Sequence, residues 1–234
     1  MILKGKTAIV TGASKGIGLA IVEELLEKGV KVAGWSRTDP GISDNDFQFV
    51  KVDVQSVESI EAAYKATVAK FGNTIDFLIN NAGLGIPSAF EDTKPEDWQT
   101  MFRTNVDSIF YISRLLVPQM KQNDFGHIIN ISSIAGLNGV KGYAAYSATK
   151  HAVTGLTHSM MMELRDFGIK VTGVYPGSTN THFFEGRHTS TPPENMMRPE
   201  DIAKSVVELL ATHPNYLPGD IELRPLRPQG KPKK

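Results

Sequence analysis

Thr7-Ala8-Ile9-Val10-Thr11-Gly12-Ala13-Ser14-Lys15-Gly16-Ile17-Gly18-Leu19-Ala20 decides how the rest of the chain is read. The apolar run Thr7–Val10 predicts a buried strand, the glycines break it, and Leu19, Val22, Leu25 and Leu26 then fall on one helical stripe. In a strand-to-helix turn, glycine lets the backbone bend tightly and approach a pyrophosphate. The free N–H groups and dipole at the helix start favour that anion. The spacing is Gly-x3-Gly-x-Gly, over Gly12, Gly16 and Gly18. It is neither the Gly-x-Gly-x-x-Gly fingerprint nor a loop ending in Gly-Lys-Ser/Thr, which disfavours ATP or GTP hydrolysis. A merely flexible turn is the plain alternative. Position at a first β–α junction favours nucleotide binding, with Gly12, Ser14, Lys15, Gly16, Ile17 and Gly18 as the candidate contacts.

The same alternation continues outward. Strands are predicted at Lys31–Trp35, Phe47–Val52, Phe77–Ile79, His127–Ile131 and Lys170–Val174, and Ile60, Ala63, Tyr64, Thr67 and Val68 form a second helical stripe. This rhythm predicts an α/β fold: a doubly wound, mostly parallel, Rossmann-like sheet with helices on both faces, in a single domain over residues 1–226. At 234 residues and 41% apolar composition the chain can fill one large core. The basic, proline-rich residues 227–234 read as a solvated tail. One stretch breaks the rhythm, near 178–199, where Phe183 and Phe184 stand among Ser, Thr, Asn and Pro; we expect a substrate lid there.

Lys plus Arg equals Asp plus Glu at 25 each, so no global field draws the protein to nucleic acid or an anionic membrane. No apolar run approaches the ~20 residues of a membrane helix, and Met1–Lys6 lacks a signal-peptide pattern. With no cysteine there is no thiol nucleophile, disulfide or thiolate zinc site, and the six histidines show no metal-ligand spacing. A cytoplasmic protein with no metal is expected. Met160-Met161-Met162 reads as packing.

Tyr146-Ser147-Ala148-Thr149-Lys150 places a phenol and an ammonium one helical turn apart. A nearby cation favours the phenolate and suits the phenol to proton exchange with a reacting oxygen. A surface pair is the alternative for these two alone. Upstream, however, Ile131-Ser132-Ser133 ends a buried strand, where parallel sheets bind ligands and where a hydroxyl can bond a substrate oxygen.

Taken together, the loop Thr11–Gly18, Asn80-Asn81-Ala82-Gly83, Ser133, Tyr146-x3-Lys150 and Pro176-Gly177 resemble the short-chain dehydrogenase/reductase family, in its short single-domain, 3-oxoacyl-reductase-like branch, from residue 4 to about 224. The resemblance implies that Tyr146 is the general acid and that Lys150 lowers its pKa and holds the nicotinamide ribose. It implies that Ser133, rather than Ser132, orients the substrate oxygen. Asn105 would help hold a water in the proton relay; a core polar role is its alternative. Asn81, Ala82 and Gly83 would pack on the adenosine side, and Asp53-Val54 on the adenine, unless Asp53 is a turn former. Pro176, Gly177, Thr179 and Thr181 would surround the carboxamide. Thr172 stands where the family commonly has asparagine.

An NAD-binding unit ends its second strand with an acid for the ribose 2′-hydroxyl. Here the strand end is Ser36-Arg37-Thr38-Asp39, with Lys15 across the loop. Arg37 and Lys15 suit a 2′-phosphate, Ser36 would offer it a hydroxyl donor, and Asp39, before Pro40, reads as a turn, so NADPH is expected over NADH. The expected function is NADP(H)-dependent interconversion of a carbonyl and a secondary alcohol, by a homodimer or homotetramer acting on a small molecule. The pocket would be apolar, from Leu84, Ile86, Leu137, Val140, Tyr143 and Phe183. The rivals are an NAD-dependent dehydrogenase of a hydroxy compound and a non-catalytic nucleotide sensor.

Overall fold

The computed structural model describes residues 1–184 and 191–230. Strand β1 (Thr7–Thr11) leads through the glycine turn to α1 (Gly16–Glu27), then β2 (Lys31–Ser36), β3 (Phe47–Lys51), α2 (Val57–Phe71) and β4 (Phe77–Asn80). The second half runs α3 (Pro95–Phe102), a π-helical turn (Arg103–Asp107), α4 (Ser108–Gln122), β5 (Gly126–Ile131), α5 (Ala144–Leu164), β6 (Ile169–Pro176), α6 (Pro199–Leu210) and β7 (Asp220–Leu223). The seven strands lie in the order 3-2-1-4-5-6-7 and every pairing is parallel.

Period-two alternation along the strands divides the core between two faces. Ala8, Val10 and Val32 meet Ile21 and Leu25 of α1 and Ile202, Val206 and Leu210 of α6. Ile9, Ala33 and Trp35 meet Ile60 and Ala63 of α2 and Ile112 and Leu116 of α4. Trp35 is fully buried, and its indole N–H donates to Thr67 Oγ1 at 3.0 Å. Such a bond removes the penalty of an unpaired buried donor. The winding direction reverses between β1 and β4, opening a crevice beyond their carboxyl ends.

Two features depart from the alternating pattern. Arg37–Asp46 carries the chain from β2 to β3 without a helix; its turns are closed by carboxylates, Asp39 accepting from Gly41 N and Asp44 from Asp46 N, each at 2.8 Å. Strand β7 was not among the strands expected. Its sequence, Asp-Ile-Glu-Leu, carries acids because it is the exposed sheet edge, paired on one side with β6.

Candidate active site

The crevice begins at the β1–α1 turn. Gly12 and Gly16 hold φ of 67° and 59°, the left-handed region where glycine is favoured. A Cβ on Gly18 would fall 2.2 Å from the carbonyl oxygen of Gly12, so that glycine serves close approach of turn and helix. Ser14 and Ile17 are half-buried and Lys15 is exposed. Lys15 occupies the N-cap of α1 with no side-chain cap bond, and the first turn carries no acid, leaving the leading amides of the helix without a side-chain acceptor among the described residues. That is the electrostatic character of an anion site.

Beneath this turn the Asn81 carboxamide donates to the carbonyls of Thr11 (3.0 Å) and Gly12 (3.4 Å). Thr11 Oγ1 in turn accepts the backbone N–H of Asn81 (3.0 Å) and Ala82 (2.9 Å). Asn81 therefore staples β4 to the glycine turn. Asp53 has a comparable local use: its carboxylate accepts from Gln55 N at 3.0 Å and its own N–H donates to Ser59 Oγ, shaping the entry to α2, while Val54 packs on the core. Ser36 is buried and its hydroxyl donates to Thr38 O at 2.7 Å. Arg37 is exposed, as Lys15 is.

Helix α5 starts at Ala144, which puts Tyr146 and Lys150 one turn apart as expected. Lys150 is buried; its ammonium donates to Ile131 O at 2.9 Å and lies 5.8 Å from the Tyr146 ring centroid. Burial lowers its pKa to about 8, so it stays mainly charged at neutral pH. Ser132 is buried and donates to the Lys150 carbonyl, whereas half-exposed Ser133 caps the turn Ile134–Gly136 by accepting Ala135 N at 3.1 Å. Ser133 also donates to Pro176 O at 3.4 Å, so both hydroxyls have backbone partners and the two serines differ in exposure. A Cβ on Gly83 would lie 3.4 Å from Asn105 Oδ1 and 3.6 Å from Lys150 Nζ, bringing the end of β4 to the same place.

Residues 6–191 match the family model for short chain dehydrogenase. The chain belongs to the short-chain dehydrogenase/reductase family. Among curated relatives, it is 37% identical over 235 residues to a 3-oxoacyl-[acyl-carrier-protein] reductase of Vibrio cholerae, covering 94% of this chain and 96% of the relative. It is 32% identical to an uncharacterized oxidoreductase of Staphylococcus epidermidis, covering 96% and 99%. Among solved structures, the 3-ketoacyl-(acyl-carrier-protein) reductase of Brucella melitensis complexed with NADH superposes with a TM-score of 0.89 at 26% identity, covering 96% of this chain and 99% of that one. A structure of ElxO with NADP bound gives 0.83 at 28% identity, covering 94% and 97%.

In this short-chain dehydrogenase the Asn105 side chain is spent inside the protein. Its Oδ1 accepts Leu84 N at 2.8 Å, and its Nδ2 donates to Leu84 O (2.8 Å) and Thr149 Oγ1 (2.9 Å). The carboxamide clamps the loop after β4. The segment near 178–199 is pinned at its base. Buried Thr179 forms a parallel bridge with Met197, and Asn180 N donates to Met197 O at 2.8 Å. Thr181 then approaches the glycine turn, its Cγ2 3.3 Å from where a Cβ on Gly16 would be. Pro176 lends its carbonyl to Ser133, and Gly177 N donates to Leu223 O at 2.7 Å. The Phe183 ring sits 5.5 Å from Tyr146 and against Gly85, and Tyr143 meets Tyr146 edge-on at 6.2 Å. The Phe184 side chain, residues 185–190 of the expected lid and 231–234 of the expected tail lie outside the described residues.

The contacts made by Thr11, Gly85 and Thr149 could not be read from the sequence. Each acts on a residue distant in sequence, so spacing alone could not reveal it. Among the described residues there is no cluster that could hold a metal ion and no helix long and apolar enough to cross a membrane.

Proposed function

We propose that this oxidoreductase reduces a carbonyl of a small molecule to a secondary alcohol with NADPH, using Tyr146 as proton donor. The observation that carries this reading is the buried Lys150 ammonium one helical turn from Tyr146, with Ser133 on the adjoining strand end. The glycine turn suits a dinucleotide pyrophosphate: Gly18 lets the turn lie directly on the helix start, and the amides leading α1 have no side-chain cap. Bound NADPH would supply the hydride for the carbonyl carbon and leave as NADP⁺. Tyr146 donates its phenolic proton to the carbonyl oxygen and regains one from solvent. Ser133 bonds the same oxygen and fixes its direction. Lys150 stabilises the phenolate left behind, and its position between Tyr146 and Gly83 suits the ribose hydroxyls.

NADPH is favoured over NADH by charge. Asp39, the nearest acid after β2, has its carboxylate in a turn, whereas Arg37 and Lys15 are exposed cations without an ion pair among the described residues. Ser36 supports the turn through Thr38 O rather than by reaching outward. Phe110 on α4 and Met162 on α5, 50% and 57% exposed, accord with a homo-oligomer. NADPH oxidation across a panel of ketones tests the reading. Tyr146→Phe should bind NADPH as the wild type does but lower kcat by roughly 10²–10⁴; comparable turnover would remove Tyr146 from the chemistry.

A further inference from the structure

Thr149 lies in α5 between the proposed proton donor and its lysine, and its side chain is completely buried. Its hydroxyl donates to the Tyr146 carbonyl at 2.7 Å and accepts the Asn105 carboxamide at 2.9 Å. A threonine bonding back to its own helix is ordinary. The second bond is not, because it comes from the π-helical turn 44 residues away in sequence. Asn105 carries the connection onward to both backbone groups of Leu84. The next residue, Gly85, packs directly on Tyr146: a Cβ there would be 3.1 Å from its Cδ2. One hydroxyl therefore ties the backbone of Tyr146 to the loop that lies against its ring.

We propose that Thr149 is a positioning residue for carbonyl reduction: its hydroxyl holds the Tyr146 backbone and, through Asn105, the Leu84–Gly85 wall at the separation the proton transfer requires. This rests on the reductase reading above. Valine has the shape of threonine without the hydroxyl. In Thr149→Val one Asn105 N–H loses its acceptor in a dry environment and the carboxamide must turn to find another, taking Leu84 with it. Serine keeps the hydroxyl and loses only a methyl.

The test compares wild type, Thr149→Val and Thr149→Ser in NADPH-dependent ketone reduction, with melting temperatures measured alongside. Thr149→Val should lose kcat on the order of 10²-fold, as displaced catalytic groups do, with KM for the ketone little changed; Thr149→Ser should recover most of it. Should Thr149→Val fail to fold, Thr149→Ala takes its place against Thr149→Ser. Equal kcat in wild type and the hydroxyl-free variant, or a serine variant as slow as that variant, overturns the proposal. A second arm labels tyrosine ζ-carbons with ¹³C and assigns Tyr146 by its loss in Tyr146→Phe. Its resonance should move in Thr149→Val and return in Thr149→Ser. If the wild type reduces no ketone in the panel, the reductase reading fails, and the resonance alone decides: an unmoved signal in Thr149→Val overturns the positioning role.

Discussion

Lys150→Met should remove the pH-dependent cost of burying an ammonium. A buried ammonium is disfavoured by desolvation, and the fall of its pKa from 10.5 to about 8 corresponds to about 3 kcal/mol against folding near neutral pH. The sign follows from proton binding. Between pH 8 and 10.5 the unfolded chain holds a proton on Lys150 that the folded chain has released, so stability rises with pH across that window. Methionine has no proton to release and lacks that rise. It also gives up the 2.9 Å bond to Ile131 O, leaving a buried carbonyl unpaired at ~1–3 kcal/mol, so at pH 7 the two effects largely offset. The pH dependence of the difference is free of this offset. Urea unfolding of both proteins without cofactor, near pH 7.5 and again near pH 10.5, should show the advantage of Lys150→Met over wild type shrinking by about 3 kcal/mol. Titrating groups remote from residue 150 cancel between the two proteins, and making both in a Tyr146→Phe background removes the phenol that Lys150 faces. A stability difference that stays constant with pH would refute the desolvated ammonium.

Two further outcomes follow from the same geometry. Arg37→Ala should weaken NADPH binding on the order of 10- to 150-fold, the worth of one charge-assisted hydrogen bond, and leave NADH nearly untouched; titration of both cofactors checks this, and tighter NADH than NADPH binding in the wild type would contradict it. Gly85→Ala puts a methyl 2.7 Å from Phe183 Cζ, so the phenyl ring must leave Tyr146; amide exchange of Thr181–Phe183 should quicken, and unchanged exchange would mean the ring was held elsewhere.

What could be read in the sequence was what repeats or lies close along the chain. The uninterrupted apolar run Ala8, Ile9 and Val10 foretold a buried strand, and the spacing of Tyr146 and Lys150 foretold their shared helix face. Asp220–Leu223 was not legible as a strand, because an edge strand with acids on it has no apolar run to recognise. Nor was the fate of the Asn105 carboxamide. Whether an asparagine faces a cleft or a neighbour depends on partners such as Leu84 and Thr149, which only the folded chain brings near. Ser132 and Ser133 were told apart by family spacing; in the folded chain both hydroxyls have a backbone acceptor, Lys150 O and Pro176 O, and Ser133 is the more exposed.

The Thr179–Met197 bridge closes the chain on itself before and after the stretch that approaches the cleft. The segment between those two residues is a cassette with joined ends, and its described residues, 180–183 and 191–196, belong to none of the seven strands. Doubling the length of such a closed loop costs only about 0.6 kcal/mol. Under the proposed reductase reading, that segment could be exchanged while Ser133, Tyr146 and Lys150 stay where β5 and α5 put them.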